Sequence, residues 1–175
     1  KWLGHDAVAV LDGGLQAWEA SGGAVEKGAP AALKPIASKF ELKSALREWV
    51  STEQLAPQVG HPNLTLIDAR AGARYRGEME PLDPVAGHIP GALNRPFAEN
   101  LGADGFFKSP EVLRAEFEKL LAGRDPATVV HHCGSGVSTV PNILAMEIAG
   151  LGITRLYPGS WSEWCNTPGM PCAKG

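Results

Sequence analysis

Thr128-Val129-Val130-His131-His132-Cys133-Gly134-Ser135-Gly136-Val137-Ser138 passes from an apolar run into a glycine-containing turn. Beyond it, Ile143, Leu144, Met146 and Ile148 recur at helix spacing. The order predicts strand, tight loop, helix, with Cys133 at the rim of a sheet. Loop N–H groups and a helix N-terminus both favour negative charge, so both favour thiolate over thiol. The thiolate is the nucleophilic form, which makes Cys133 the first candidate for a reacting group.

Working outward, Leu64-Thr65-Leu66-Ile67-Asp68 reads as a second buried strand. Ser51-Thr52-Glu53-Gln54 has the spacing of a capping box that opens a short helix. Ser109-Pro110-Glu111 places an N-cap serine before a proline at the first helical position. Val112, Leu113, Phe117, Leu120 and Leu121 then supply that helix's apolar face. A strand near 155–157 and a helix over 161–164 close the chain. Strands alternating with helices predict an α/β fold, a mostly parallel central sheet with helices on both faces. Sites in such sheets lie at the carboxyl ends of the strands, where Asp68 and Cys133 fall.

The chain's beginning is similar to its end. Residues 2–18 lie on 148–164 without a gap, matching Gly4 with Gly150, Gly13 with Gly159 and Trp18 with Trp164; further on, Gly23 falls on Gly169. Each stretch reads as helix end, short strand, glycine turn and short helix carrying Trp. We therefore expect residues 1–20 to be the C-terminal tail of a first domain, 21–39 a Gly/Ala/Pro/Lys-rich linker, and 40–175 a complete second domain. A lone parallel strand leaves its backbone groups unpaired, so exchange or docking of residues 1–20 with a neighbouring molecule is also expected.

The 175 residues suffice for one full domain and more, and 44% apolar with 20% charged residues fits a globular protein. A net charge of −3 gives no basic surface for nucleic acid. No apolar run reaches the roughly 20 residues of a membrane span. Three cysteines, Cys133, Cys165 and Cys172, argue against a disulfide scaffold and fit a reducing compartment, so a cytoplasmic location is expected. His131 and His132 adjoin Cys133, but neighbours on a strand alternate faces and no second pair has zinc-like spacing. No metal and no cofactor are expected.

Cys133-Gly134-Ser135-Gly136-Val137-Ser138 resembles the active-site loop of the rhodanese superfamily, particularly of 3-mercaptopyruvate sulfurtransferases. Asp68-Ala69-Arg70 with Arg74-Tyr75-Arg76-Gly77, Gly87-His88-Ile89-Pro90-Gly91-Ala92 and Gly159-Ser160-Trp161-Ser162-Glu163-Trp164 resemble three more of its motifs, in the family's order. Leu11-Asp12-Gly13-Gly14-Leu15 with Trp18 is similar to the end of the family's N-terminal domain. The resemblance implies a rhodanese-like fold and a two-step sulfur transfer. Cys133 attacks the outer sulfur of a small donor, becomes a persulfide, and passes that sulfur to a thioredoxin-like thiol, glutathione or cyanide. It also implies that the N–H groups of Gly134, Ser135, Gly136, Val137 and Ser138 stabilise first the thiolate and then the persulfide.

Family members that prefer thiosulfate resemble one another in basic residues just after the cysteine. Here those positions are Gly134 and Ser135, and a serine hydroxyl offers hydrogen bonds without charge, which favours mercaptopyruvate. Arg74 matches the family arginine that grips the donor carboxylate. Its plainest alternative is a surface ion pair with Glu78, and Arg76 is the second candidate. Met79-Glu80-Pro81-Leu82-Asp83-Pro84 holds no arginine where animal-type mercaptopyruvate enzymes have one, so a different affinity or preference is expected. In those enzymes the loop serine works with His and Asp of the first domain, so this chain by itself is expected to be weakly active, or a binding module.

Asp68 is expected to fix loop N–H groups, His88 to pack and hydrogen-bond beneath the site, and His132 to face away from Cys133. Cys165 and Cys172 are expected to be bystanders. Trp161 and Trp164 are expected to be core or interface aromatics, with Trp161 also near the rim. A Cys-loop phosphatase needs arginine at the sixth position after the cysteine; that position is Thr139.

Overall fold

The computed structural model describes residues 1–29 and 39–175; of the linker expected over 21–39, residues 30–38 lie outside the described residues. β1 (Thr65–Asp68) and β3 (Val129–His132) are buried throughout and pair in parallel, Thr65 beside Val129 and Asp68 beside His132. β2 (Leu93–Asn94) flanks β1 and β4 (Arg155–Leu156) flanks β3, which gives the parallel order β2-β1-β3-β4. Two buried central strands need apolar residues on both faces, and the sequence supplies them without polar alternation.

Helices cover each face. On one, Ile67 and Val129 pack under Leu113, Phe117 and Leu121 of α4 (Pro110–Leu121) and Ala145 and Met146 of α5 (Val140–Ile148). On the other, Leu66 and Val130 meet Leu55 of α2 (Thr52–Leu55) and Trp161 and Trp164 of α6 (Ser160–Asn166). The expected caps form: Ser51 and Gln54 bond reciprocally, and Ser109 Oγ accepts from the Val112 N–H. Both tryptophans are core residues with their indoles satisfied, Trp161 Nε1 donating to Val85 O at 2.9 Å and Trp164 Nε1 to Pro171 O at 2.8 Å. Among the described residues no helix is long and apolar enough to cross a membrane.

The internal likeness holds in part. α1 (Gly14–Ala20) and α6 are both seven residues long and occupy aligned positions, and each opens on a residue of positive φ, Gly14 at 61° and Ser160 at 55°. The short strand expected in the opening stretch does not form; no ladder bond is made over 7–10 among the described residues, and Val8, Val10 and Leu11 are exposed. The aligned strand β4 lies along the edge of β3, whereas residues 7–10 pair with no strand among the described residues. The segment leans instead on its own chain, through Trp2 Nε1 to Glu48 O (3.4 Å) and the Phe107 N–H to Asp12 Oδ1 (3.0 Å).

His131 and His132 are fully buried on β3, and neither His131 ring nitrogen has a hydrogen-bond partner among the described residues. Burial, with the neighbouring His132 adding to it, pushes the His131 pKa down to about 3; burial likewise lowers that of His132. Both are therefore neutral in the fold, while an unfolded histidine takes up a proton near its ordinary pKa of about 6.5. Stability is then full above that value and falls with decreasing pH, by about 1.4 kcal/mol per pH unit for each such histidine. Urea unfolding between pH 7 and 5 should show this slope, and His131→Leu should make it shallower. An unchanged slope in that variant would contradict the assignment.

Candidate functional site

Cys133 follows the last residue of β3 and is 2% exposed. The loop it opens is clamped from below by the start of α6. The Trp161 N–H donates to Cys133 O (3.0 Å) and the Ser162 N–H to Gly134 O (2.9 Å). The Cys133 N–H donates to Ser160 Oγ (3.1 Å), which donates in turn to Tyr157 O (3.0 Å). Ser160 holds this position at φ 55°, a conformation strained for any residue with a Cβ. Gly136 has φ 83°, and an added Cβ would meet Pro158 O at 2.6 Å, so only glycine fits that turn.

The clamp uses the loop's carbonyls and leaves its donors free. Among the described residues no acceptor bonds the five N–H groups of residues 134–138. Ser135 and Val137 are exposed at the loop's tip, Val137 to 74%. Thr139 is buried at the position where a Cys-loop phosphatase carries arginine.

Arg74 lies on α3 (Gly72–Tyr75), a single turn after β1, and its Nη1 is 3.4 Å from where a Gly134 Cβ would stand. It does not pair with Glu78, which takes Arg76 on the surface at 2.6 Å. Arg74 is forked onto Glu80 instead, Nη2 to Oε1 at 2.5 Å and Nε to Oε2 at 3.2 Å, with Asp83 Oδ2 3.6 Å from Nη2. Arg76 is thus spent at the surface, while Arg74 borders the cysteine loop.

Asp68 accepts the Arg70 backbone N–H at 2.9 Å and the Arg70 guanidinium, with Nη2 to Oδ2 at 2.6 Å. Arg70 also donates to Gly87 O (2.6 Å) and Glu80 Oε2 (3.2 Å) and lies over the Trp161 ring. His88 stacks on Tyr75 at 3.9 Å between centroids; its Nδ1 lies 2.8 Å from Tyr75 O, a carbonyl that can only accept, so Nδ1 carries the proton. His132 is on the sheet face shared by Asp68 and Trp161, with Nδ1 3.4 Å from Cys133 O. Cys165 and Cys172 are free thiols outside the loop, and burial raises both pKa values.

Three contributors escaped the sequence: Arg70, Glu80 and Ser160. Arg70 and Glu80 look like ordinary surface charges until the fold buries them together. Ser160 left one trace, its alignment with Gly14 at a backbone position that calls for glycine.

The chain belongs to the family of rhodanese-like domains, whose model matches residues 51–167. It is 47% identical over 175 residues to a probable 3-mercaptopyruvate sulfurtransferase of Pseudomonas aeruginosa, covering 99% of this chain and 61% of that protein. It is 36% identical over 166 residues to the thiosulfate sulfurtransferase of Mus musculus, covering 93% of this chain and 54% of that one. The solved 3-mercaptopyruvate sulfurtransferase of Leishmania major superposes with a TM-score of 0.78 at 33% identity, over 97% of this chain and 47% of that one. The chain thus spans about half to three-fifths of the length of these relatives.

Ser160→Ala should leave the Cys133 N–H and Tyr157 carbonyl unpaired in a buried place while keeping the strained φ, costing about 1–3 kcal/mol. Ser160→Gly loses the same bonds but relieves the backbone, so it should cost about 1 kcal/mol less. Urea unfolding of the two variants gives the order; equal losses would refute the strain at Ser160.

Proposed function

We propose that the chain is the sulfur-transferring part of a sulfurtransferase, with Cys133 as the carrier and 3-mercaptopyruvate as the preferred donor. The observation that carries this is the loop after β3: a cysteine fixed through its carbonyl and N–H, followed by five N–H groups that bond no acceptor among the described residues, and bordered by Arg74. Free N–H groups favour an anion beside them, first the thiolate and then the terminal sulfur of a persulfide.

The reaction balances without a cofactor. The Cys133 thiolate attacks the donor sulfur, an S–S bond forms, and the donor's C–S bond breaks. The electrons and the thiol proton go to the carbon left behind, which departs as pyruvate. A thiol or cyanide then attacks the outer sulfur and restores the thiolate. Arg74 binds the donor carboxylate, Ser135 hydrogen-bonds its polar oxygens, and Asp68 and His88 support the loops around them. Thioredoxin-like thiols, glutathione and cyanide all suit the second step.

A second reading keeps Cys133 and changes the donor to thiosulfate, which leaves as sulfite. Relatives named for that donor, such as the mouse protein, favour it. The absence of a basic side chain at Gly134 and Ser135 favours mercaptopyruvate, because a doubly charged donor gains more from cations at those positions.

Intact mass of the reduced protein after each donor separates the readings. Gain of one sulfur with mercaptopyruvate, absent in Cys133→Ser, is the expected result. Gain with thiosulfate alone would replace the preferred donor. No gain with either, and none after the upstream part of the relatives is joined to the chain, would leave a binding module.

A further inference from the structure

We propose that Glu80 is the positioning residue that aims Arg74 at the cysteine loop and biases the site toward singly charged donors; this rests on the donor-binding place assigned to Arg74 above. Glu80 has a side chain only 2% exposed, yet it sits beside the loop rather than in the apolar core. Its carboxylate collects five donors. Arg74 supplies Nε and Nη2, Arg70 supplies Nη1, and the backbone N–H groups of Leu82 (3.1 Å) and Asp83 (3.3 Å) complete the set. Burial alone would push the Glu80 carboxyl up, but the hydrogen bond from Arg74 and the backbone N–H groups outweigh it, so the carboxyl stays ionised below its ordinary range.

The fork decides which part of Arg74 remains. With Nε and Nη2 turned to Glu80, Nη1 is the end nearest Gly134, and among the described residues it bonds no acceptor. A guanidinium held by its side edge keeps its outer end for a second carboxylate. An Arg74 side chain 18% exposed, without that fork, would have several rotamers to choose from.

The same contact sets the charge. Asp68, Glu80 and Asp83 carry three negative charges against two on Arg70 and Arg74, so the cluster is net negative by one. Gly134 and Ser135 add nothing. A donor with one negative charge can use the outer end of Arg74 at modest cost, whereas a dianion meets the full repulsion of the cluster and of the thiolate.

Glu80→Gln keeps size and one acceptor oxygen but makes the cluster neutral. The ratio of kcat/KM for thiosulfate to that for mercaptopyruvate should rise about tenfold, with the mercaptopyruvate loss mainly in KM. Glu80→Asp, which keeps the charge, should retain the wild-type ratio even if both activities fall. Equal losses for both donors in Glu80→Gln would show that the residue only supports the fold and would overturn the proposal. A second measurement does not need turnover: the dissociation constants of pyruvate and of sulfate, read from the NMR amide shifts of Gly134 and Gly136. Glu80→Gln should favour sulfate over pyruvate by a similar factor, and an unchanged preference overturns the proposal. If that preference shifts while Cys133 gains no sulfur even with the upstream part of the relatives joined to the chain, the sulfur-transfer reading fails and the role of Glu80 stands.

Discussion

A buried guanidinium governs the architecture around the cysteine loop. Arg70 is 3% exposed and bonds the carboxylate of Asp68 at the end of β1, the Glu80 carboxylate, and the Gly87 carbonyl next to His88. Its flat face covers Trp161, the second residue of α6. One side chain therefore joins four separate stretches of chain. A charge so deep must be paired on every side, because an uncompensated one costs about 3–5 kcal/mol. The pairing in turn fixes Glu80, and Glu80 fixes Arg74. Trp161 is held from above by Arg70 while its own N–H holds Cys133 O from below. Arg70 thus reaches the cysteine by two routes, neither of which requires it to touch the cysteine.

The loop itself is built by division of labour within the peptide group. Carbonyls of Cys133 and Gly134 are consumed by α6, and the Cys133 N–H by Ser160, while the next five N–H groups bond no acceptor among the described residues. A loop held through its carbonyls is stiff without losing its donors. That stiffness needs special backbone at two points, Gly136 against Pro158 and Ser160 in the left-handed region. The second is a substitution of strain for bonding: glycine would sit there freely, as Gly14 does at the aligned position, but only a hydroxyl can join Cys133 N to Tyr157 O.

What was legible in the sequence follows the range of the forces involved. β1 and β3 showed as apolar runs, α4 and α5 as helical periodicity, and the caps at Ser51 and Ser109 as side chains three residues from their targets. The glycine loop after Cys133 was equally local. β2 and α3 are not visible, since two residues and one turn are too short to show a period; β2 pairs with β1 through the backbone, and the Asn94 side-chain amide adds bonds to Asp68 O and Arg70 O. The short strand expected in the opening stretch had the right residues, yet it pairs with no strand among the described residues. Arg74 is legible through its motif, and the surface ion pair with Glu78 that stood as its alternative does not form: the fold takes Arg76 to Glu78 and delivers Glu80 to Arg74. Burial of charges against one another is a tertiary event, and no local pattern announces it.

The two kinds of electrostatics at the site act differently with distance. Backbone N–H groups are dipoles; they stabilise an anion in contact with them and fade quickly beyond it. The carboxylates and guanidinium groups nearby are full charges, and their effect reaches across the mouth of the site. In the proposed reaction, a loop whose five N–H groups bond no acceptor among the described residues favours a thiolate or persulfide without drawing anions from solution, and the long-range choice falls to the Asp68, Arg70, Arg74, Glu80 and Asp83 cluster. Basic residues in the loop would merge the two functions, stabilising the sulfur and attracting dianions together. With Gly134 and Ser135 in those places the two contributions come from different groups: under the proposed sulfur transfer, α6 and the loop backbone act on the Cys133 sulfur by contact, while the charge balance around Arg74 acts on donor and thiolate alike.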